Sequence, residues 1–248
     1  MGGAILSKLY VIGIGPGAYE DMTVRAIQTL KKCELIVGYK VYNALVRPYF
    51  PDKEYYETPM TGEVQRCRYA LERAKTGIPT ALICSGDPGI YGLAGLALEL
   101  RGEQTTPEIE VIPGLTAATT GAALLGSPLT NDFAVISLSD LLTPWATIEK
   151  RLAAAAQGDL CVVLYNPGSK KRKGHLSRAC QIMLKHKKPE TLCAVVRNIS
   201  REGQSHKLTS LGELRDMEVD MFTTVFIGNA QTKLINGQMV TERGYRDV

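Results

Sequence analysis

The side chain best suited to chemistry is the carboxylate of Asp87, which lies in the glycine-rich segment 86–92 (GDPGIYG). The apolar run Thr80–Cys84 before it predicts a buried strand, so Asp87 follows the carboxyl end of that strand. Ligands of open α/β sheets bind outside the carboxyl ends of the strands. Glycines let a ligand approach the backbone, and Pro88 restricts the turn. The pattern predicts that Asp87 lies at a ligand site, where it is a candidate catalytic and binding residue.

Two further loops share this pattern of an apolar run followed by glycine and proline. Residues 13–17 (GIGPG) follow the apolar run 9–14 with a short overlap, and residues 113–117 (PGLTA) follow the apolar run 109–112. Each loop alone is also typical of an ordinary turn between a strand and a helix. Because all three loops follow predicted strands in the first half of the chain, we expect them to line one shared cleft.

Residues 13–18 formally match the dinucleotide fingerprint G-x-G-x-x-G/A, but their context does not favour a diphosphate. Pro16 has no amide hydrogen to donate, and the predicted helix starts only at Thr23, directly after a pair of acidic residues and a methionine. The positive charge of Lys40 could bind a 2′-phosphate, so an NADP-binding oxidoreductase remains an alternative. A cofactor without phosphate fits better, and S-adenosylmethionine is one.

Apolar runs that predict strands alternate with patterns that predict helices, which indicates an α/β fold. The segment 127–131 (SPLTN) interrupts the alternation and predicts a domain boundary. We therefore expect an N-terminal α/β domain with glycine-rich loops, residues 1–126, and a C-terminal α/β domain with a mixed sheet, residues 127–248. The polar segment 233–248 is expected to be partly mobile.

Composition narrows the class of protein and of partner. The chain has 248 residues, 45% of them hydrophobic, and no apolar run long enough to span a membrane or to act as a secretory signal. Its six cysteines and three histidines show no ligand spacing, which predicts reduced thiols, a cytoplasmic location and no bound metal. The net charge of +4 is concentrated in residues 170–173 and 185–188, which suits an anionic partner. With aromatic residues at only 6%, we expect no nucleic-acid partner.

Taken together, the three glycine loops resemble those of the tetrapyrrole (precorrin) methyltransferase family. The segments that carry the resemblance are 11–17 (VIGIGPG), 85–92 (SGDPGIYG) and 112–117 (IPGLTA). Within the family, the chain is most similar to the precorrin-3B or cobalt-precorrin-3 C-17 methyltransferases. This narrower likeness rests on segments 38–42 (GYKVY), 137–145 (SLSDLLTPW) and 165–172 (YNPGSKKR).

The resemblance implies a tetrapyrrole-methylase-like fold, with two α/β domains and the cofactor cleft between them, in a homodimer. It implies S-adenosyl-L-methionine as the cofactor, S-adenosyl-L-homocysteine as the product, and an anionic precorrin or cobalt-precorrin as the substrate. The implied reaction is methyl transfer to C-17, with contraction of the ring, in cobalamin biosynthesis.

The resemblance also suggests site residues by motif. The implied cofactor-binding residues are Pro16, Ser85, Gly86, Asp87, Ile90, Tyr91, Thr116, Ala117, Tyr165, Asn166, Arg197, Asn198 and Gly228. Substrate carboxylates would pair with Lys170, Arg172 and Arg201. Ring contraction needs a proton to be handled, for which Ser139 and Asp140 are candidates together with Ser137, although the same residues are equally typical of a helix-capping loop.

Three alternatives stay open on the sequence alone. The first is another member of the same family that methylates a different ring carbon, RNA or a translation factor. The second is the NADP-binding oxidoreductase, and the third is a nucleotide- or tetrapyrrole-binding module without enzymatic activity.

Overall fold

The computed structural model describes residues 8–169 and 173–245. The chain divides into two compact units, Met1–Thr116 and Ala117–Val248, called unit 1 and unit 2 below. The boundary expected between residues 126 and 127 lies beyond the helix Ala117–Leu125, which the contacts place in unit 2. Small side chains allow this helix to pack closely there, since a Cβ on Gly121 would lie 2.7 Å from the ring of Phe226.

Unit 1 alternates strands and helices along the chain. Its elements are β1 (Lys8–Gly13), α1 (Val24–Lys32), β2 (Leu35–Tyr39), α2 (Lys40–Val46), β3 (Glu54–Thr58), α3 (Glu63–Lys75), β4 (Thr80–Cys84), α4 (Ala94–Arg101) and β5 (Glu108–Ile112). Short 3₁₀ turns lie at Tyr19–Asp21 and Arg47–Tyr49.

The five strands of unit 1 form one parallel sheet in the order β3-β2-β4-β1-β5. Helices cover both faces. Leu9 and Val11 of β1 pack with α3 and α4, while Ile12 packs with α1 and α2 on the other face. A strand covered on both faces must be largely apolar, which is why the inner strands β2 and β4 are nearly continuous apolar runs. The parallel order brings the carboxyl ends of β4, β1 and β5 side by side at one edge.

Unit 2 is built around a second five-stranded sheet. Its elements are α5 (Ala117–Leu125), β6 (Gly126–Ser127), β7 (Phe133–Ser137), α6 (Trp145–Gln157), β8 (Cys161–Tyr165), α7 (His175–Met183), β9 (Leu192–Arg197), β10 (Ser205–Ser210), α8 (Leu211–Leu214), β11 (Thr223–Ile227), β12 (Thr232–Ile235) and β13 (Gln238–Thr241).

The main sheet of unit 2 is mixed, in the order β10-β9-β11-β8-β7. Strands β7 and β8 are parallel, and β11 runs antiparallel to both β8 and β9. The carboxyl ends of β7, β8 and β9 therefore share one edge, where β11 begins. A small separate sheet has the order β12-β13-β6.

The structure differs from the sequence-based elements at a few places. The pattern of residues 89–100 predicts a helix, but helix α4 begins only at Ala94, because the preceding residues form turns, with Tyr91 at a φ of 54°. The short elements α2 and β3 were not predicted. In the segment 233–248, which is expected to be partly mobile, β12 and β13 form a hairpin that buries Met239 completely.

Candidate functional site

The three glycine loops of unit 1 meet at the carboxyl edge of its sheet, as their sequence pattern predicts. Two hydrogen bonds join the first loop to the second: the Gly15 amide donates to the Gly86 carbonyl over 3.3 Å, and the Gly86 amide donates to the Gly15 carbonyl over 2.8 Å. A Cβ on Gly13 would lie 2.5 Å from the Gly86 carbonyl oxygen and 2.7 Å from the Gly114 nitrogen. Such contacts are too short for a side chain, so this approach requires glycine.

Gly86 differs from Gly13 and Gly114 because the space beside its Cα is open. Its φ is +70°, and a Cβ there would have no heavy atom nearer than 3.8 Å, the closest being the Cα of Thr116. The backbone of the loop is thus accessible to a ligand at this point. Pro16, Ser85 and Thr116, all predicted to bind a cofactor, lie in the same three loops.

Asp87 fixes the geometry of the loops. Its Oδ1 accepts a hydrogen bond of 2.7 Å from the Gly89 amide, and its Oδ2 accepts one of 3.0 Å from the Gly114 amide. One carboxylate therefore ties the loop after β4 to the loop after β5. Ile90 and Tyr91 follow in the same loop and are 38% and 57% exposed, which gives the edge apolar surface.

The loop after β1 lacks the geometry of a diphosphate site. Helix α1 begins at Val24, and the Thr23 hydroxyl accepts a hydrogen bond of 3.1 Å from the Ala26 amide as its N-cap. The 3₁₀ turn with two acidic residues separates Gly15 from this helix, so the free amides of the helix end do not follow the glycines directly. This arrangement suits a ligand without phosphate.

In unit 2, Tyr165 links the end of β8 to the start of α5. Its hydroxyl oxygen accepts a hydrogen bond of 2.7 Å from the Ala118 amide. Ala118 is the second residue of α5, whose first amides have no carbonyl partner within the helix. The structure thus places Tyr165 at the start of α5, whose first residue is Ala117, another residue predicted to bind the cofactor.

A polar network lies beside Tyr165 at the same edge of unit 2. Asn166, at a φ of 52°, donates from Nδ2 to the Ser137 hydroxyl over 3.0 Å. The Ser139 amide donates to the same hydroxyl oxygen over 3.2 Å. The loop after β7 and the loop after β8 are therefore joined, and the predicted residues Asn166 and Ser139 share Ser137 as a partner.

Asp140, the next residue, lies against a histidine that the sequence did not single out. Its Oδ2 is 3.1 Å from Nε2 of His175, the first residue of α7. The ring of Trp145 meets the ring of His175 edge to face at 4.7 Å between centroids. The two partners are separated by 35 positions in the sequence (175 − 140) and share no motif. Only the packing of α6 and α7 beside the loop after β7 brings them together.

The remaining predicted residues of unit 2 fall in different places. Arg197 forms an ion pair of 2.9 Å with Asp220, and Asn198 follows it at a φ of 52° at the same edge as Tyr165. Partial burial raises the pKa of Asp220, but hydrogen bonds from Thr223 and Arg197 outweigh it, so this pKa is lowered overall.

Gly228 is not brought together with the other candidates. It follows the carboxyl end of β11, and its amide donates to the carbonyl of Leu192 at the start of β9, over 2.9 Å. Because β11 is antiparallel to its neighbours, this is the opposite edge of the sheet from Tyr165. Among the predicted substrate-binding residues, Arg201 lies in the turn after Asn198, while Lys170 and Arg172 lie outside the described residues.

Neither a metal-binding cluster nor a membrane-spanning helix is found in the part of the chain that the structure describes. Residues 8–169 and 173–245 contain no cluster of three or more His, Cys, Asp or Glu side chains that could hold a metal ion. No described helix is both long enough and apolar enough to cross a membrane.

The family model of the tetrapyrrole (corrin/porphyrin) methylases matches residues 8–215. The chain belongs to the tetrapyrrole methylase family. A relative from Salmonella typhimurium, named a probable cobalt-factor III C(17)-methyltransferase, is 47% identical over 238 residues, which cover 96% of this methylase and 99% of the relative.

Solved structures agree with this membership. The crystal structure of the methyltransferase CobJ superposes with a TM-score of 0.87 at 34% identity, over 94% of this methylase and 99% of CobJ. A uroporphyrin-III C-methyltransferase from Thermus thermophilus, solved in complex with S-adenosylhomocysteine, shares the fold with a TM-score of 0.70 at 21% identity, over 89% and 97% of the two chains.

Proposed function

We propose that this tetrapyrrole methylase transfers a methyl group from S-adenosylmethionine to C-17 of cobalt-factor III or the corresponding precorrin-3, with contraction of the ring, in cobalamin biosynthesis. The observation that carries the proposal is the 47% identity, over 96% of this chain and 99% of the relative, with a probable cobalt-factor III C(17)-methyltransferase. The structural likeness to CobJ, over 94% of the chain, supports it. A cofactor without phosphate agrees with the loop after β1.

The carboxyl edge of unit 1 fits S-adenosylmethionine. The space beside Gly86 is open, while Gly13 and Gly114 hold the surrounding backbone so closely that no side chain can intrude. Ile90 and Tyr91 offer exposed apolar surface for an adenine ring. When bound, the cofactor supplies the electrophilic methyl group, and the protein supplies orientation and electrostatics.

The residues of the chain would then act by binding and positioning. Asp87 holds the loop after β4 against the loop after β5, because its carboxylate accepts hydrogen bonds from the Gly89 and Gly114 amides. We therefore propose that it positions the cofactor site. In unit 2, Tyr165 and Asn166 remain candidate cofactor contacts. The basic side chains Arg201, Lys170 and Arg172 are proposed to pair with the carboxylates of the substrate.

The reaction is tested by incubating the protein with cobalt-factor III and, separately, precorrin-3B, in the presence of S-adenosylmethionine labelled with carbon-13 in its methyl group. We expect one labelled methyl carbon, placed at C-17 by carbon NMR. A label at another ring carbon would assign the protein to a different branch of the family. Micromolar binding of S-adenosylhomocysteine, with no binding of NADP, is the expected calorimetric result.

We also propose that the protein is a homodimer and works in the cytoplasm. The dimer rests on family resemblance and is tested by light scattering, for which one chain has a mass of 27.0 kDa. A mass that stays at the monomer value across micromolar concentrations would reject it. The cytoplasmic location is supported by six cysteines that are all free and buried, as expected in a reducing compartment. Fractionation of the cells that express the protein tests it.

A further inference from the structure

We propose that His175, held by Asp140, accepts a proton from the bound tetrapyrrole during ring contraction. This inference rests on the proposed function, and it names the group that handles the proton. Sequence patterns point to Ser139 and Asp140 for this step but leave them equally explicable as parts of a capping loop. The structure adds a histidine, the side chain that most readily exchanges a proton near neutral pH.

The geometry of the pair suits proton transfer better than a purely structural ion pair. The Nε2 atom of His175 is buried and 3.1 Å from Asp140 Oδ2, yet the ring N–H is not aligned with any acceptor as a hydrogen bond. The His175 side chain keeps 14% of its surface exposed, and Nε2 contributes almost nothing to this exposure. The carboxylate thus faces one ring nitrogen, and Nδ1 is the nitrogen left to meet a substrate.

The imidazole is held in a fixed orientation. Trp145 packs edge to face against it, and the guanidinium of Arg178 lies 4.3 Å from the centroid of the Trp145 ring. Glu149 in turn pairs with Arg178 at 3.5 Å. Among the residues that the structure describes, the charged groups of this cluster include Asp140, which faces His175 directly, and Arg178, which lies over the Trp145 ring and pairs with Glu149. A fixed ring with one adjacent carboxylate resembles the arrangement of an oriented general base.

The pair also lies where a flat macrocycle can reach it. Asp140 follows Ser139, whose amide bonds to Ser137 at the edge where Asn166 lies. Directly after Asp140 come Leu141 and Leu142, which are 77% and 98% exposed. Two adjacent leucines in water are costly unless a partner covers them. A tetrapyrrole, apolar across its ring and anionic at its rim, would cover them.

The proposed step is a simple proton transfer. The O–H bond of a ring hydroxyl on the substrate breaks, and its proton forms an N–H bond with Nδ1 of His175. The electron pair of the broken O–H bond stays on the substrate oxygen, which becomes an alkoxide. Asp140 stabilises the imidazolium, which later returns the proton to product or water. No oxidant is consumed in this step.

The test compares His175→Gln and His175→Ala with a matched histidine control, His186→Gln, because His186 is exposed on the same unit. We expect both His175 variants to form contracted product about 10²- to 10⁴-fold more slowly, the usual contribution of general acid–base catalysis. The control should keep the wild-type rate. Free imidazole should restore part of the rate of His175→Ala and none of that of Asp140→Asn.

Measurements other than turnover separate a chemical role from a structural one. S-adenosylhomocysteine affinity by calorimetry, and tetrapyrrole affinity by its absorbance change, should be the same in His175→Gln as in the wild type. The pH dependence of turnover should lose one ionisation in that variant. Wild-type rates in folded His175→Gln, or a loss of tetrapyrrole affinity that accounts for the whole effect, would overturn the inference. If the wild-type protein itself methylates no tetrapyrrole, the proposed function has failed instead.

Discussion

At the scale of single residues, Gly86 has a role that other glycines of the same loops do not share. Gly13 and Gly114 are required because neighbouring backbone leaves no room for a side chain, whereas Gly86 is beside open space at a φ of +70°. A side chain there would occupy the space of a ligand. This distinction allows the cofactor site to be tested without disturbing the close approach of the loops.

Gly86→Arg should weaken S-adenosylhomocysteine binding at least about 100-fold, or about 2.7 kcal/mol, because the side chain fills the proposed binding space. The matched control is Gly237→Arg, where φ is +80° and a Cβ meets nothing within 4 Å. Both substitutions carry a similar backbone strain, so calorimetry should show loss of affinity only at Gly86. Equal affinity in the two folded variants would contradict the site.

Asp87 is expected to matter for both stability and binding. Asp87→Ala removes the acceptors of the Gly89 and Gly114 amides, and hydrogen bonds to a charged group contribute about 1.5–3 kcal/mol. We therefore expect a lower midpoint in urea together with weaker S-adenosylhomocysteine binding. Asp87→Asn, which keeps one acceptor, should be intermediate in both. A variant with wild-type stability and wild-type affinity would show that the tie between the loops is unimportant.

At the scale of elements, ion pairs connect the edge strand β5 to the neighbouring strand β1 and helix α1. Glu110 lies 2.6 Å from Lys8 of β1 and 2.6 Å from Arg25 of α1. The hydrogen bond from Lys8, followed by the one from Arg25, lowers the pKa of Glu110 below its ordinary value of 4.5. A carboxyl whose pKa is lower in the folded state stabilises the fold above its unfolded pKa and loses that effect as the pH falls through the folded one.

Glu110→Gln should accordingly lower the melting temperature by about 1–4 °C at pH 7, as expected for partly exposed ion pairs worth about 1 kcal/mol or less. The difference from the wild type should persist down to about pH 5 and vanish as the pH falls below 4.5. Calorimetric melting at several pH values checks this, with Glu99→Gln as the exposed control. A difference that grows in acid would contradict the assigned sign.

At the scale of the whole molecule, every cysteine side chain lies in the interior of its unit. All six cysteines are free and buried. Burial raises the pKa of Cys33, Cys67 and Cys180 to about 12 and that of Cys84 to about 11. Thiol reagents react with the thiolate, so these cysteines should be inert while the protein is folded.

We expect Ellman's reagent at pH 8 to label native protein only as fast as the chain unfolds, and to label all six cysteines at once in guanidinium chloride. Saturating S-adenosylhomocysteine should slow native labelling further, because a ligand at 100 times its dissociation constant stabilises the fold by about 2.7 kcal/mol. Rapid labelling of one native cysteine would reveal an accessible thiol that the structure does not show.

The sequence by itself determined the glycine loops and their place. Local rules suffice there: an apolar run such as Thr80–Cys84 forms a strand covered on both faces, and the glycines and prolines that follow it must form turns. Parallel order then puts the loops at one edge. The N-cap of α1 at Thr23 and the capping box of Ser210 and Glu213 follow from spacing in the same way.

Only the tertiary structure decided which distant side chains meet. His175 faces Asp140 because α7 packs beside the loop after β7, and no local pattern encodes a contact between residues so far apart. The antiparallel direction of β11 puts Gly228 at the opposite edge of the sheet from Tyr165, which its local sequence does not indicate. Local sequence fixes the backbone of each turn, whereas the pairing and direction of strands fix which turns become neighbours.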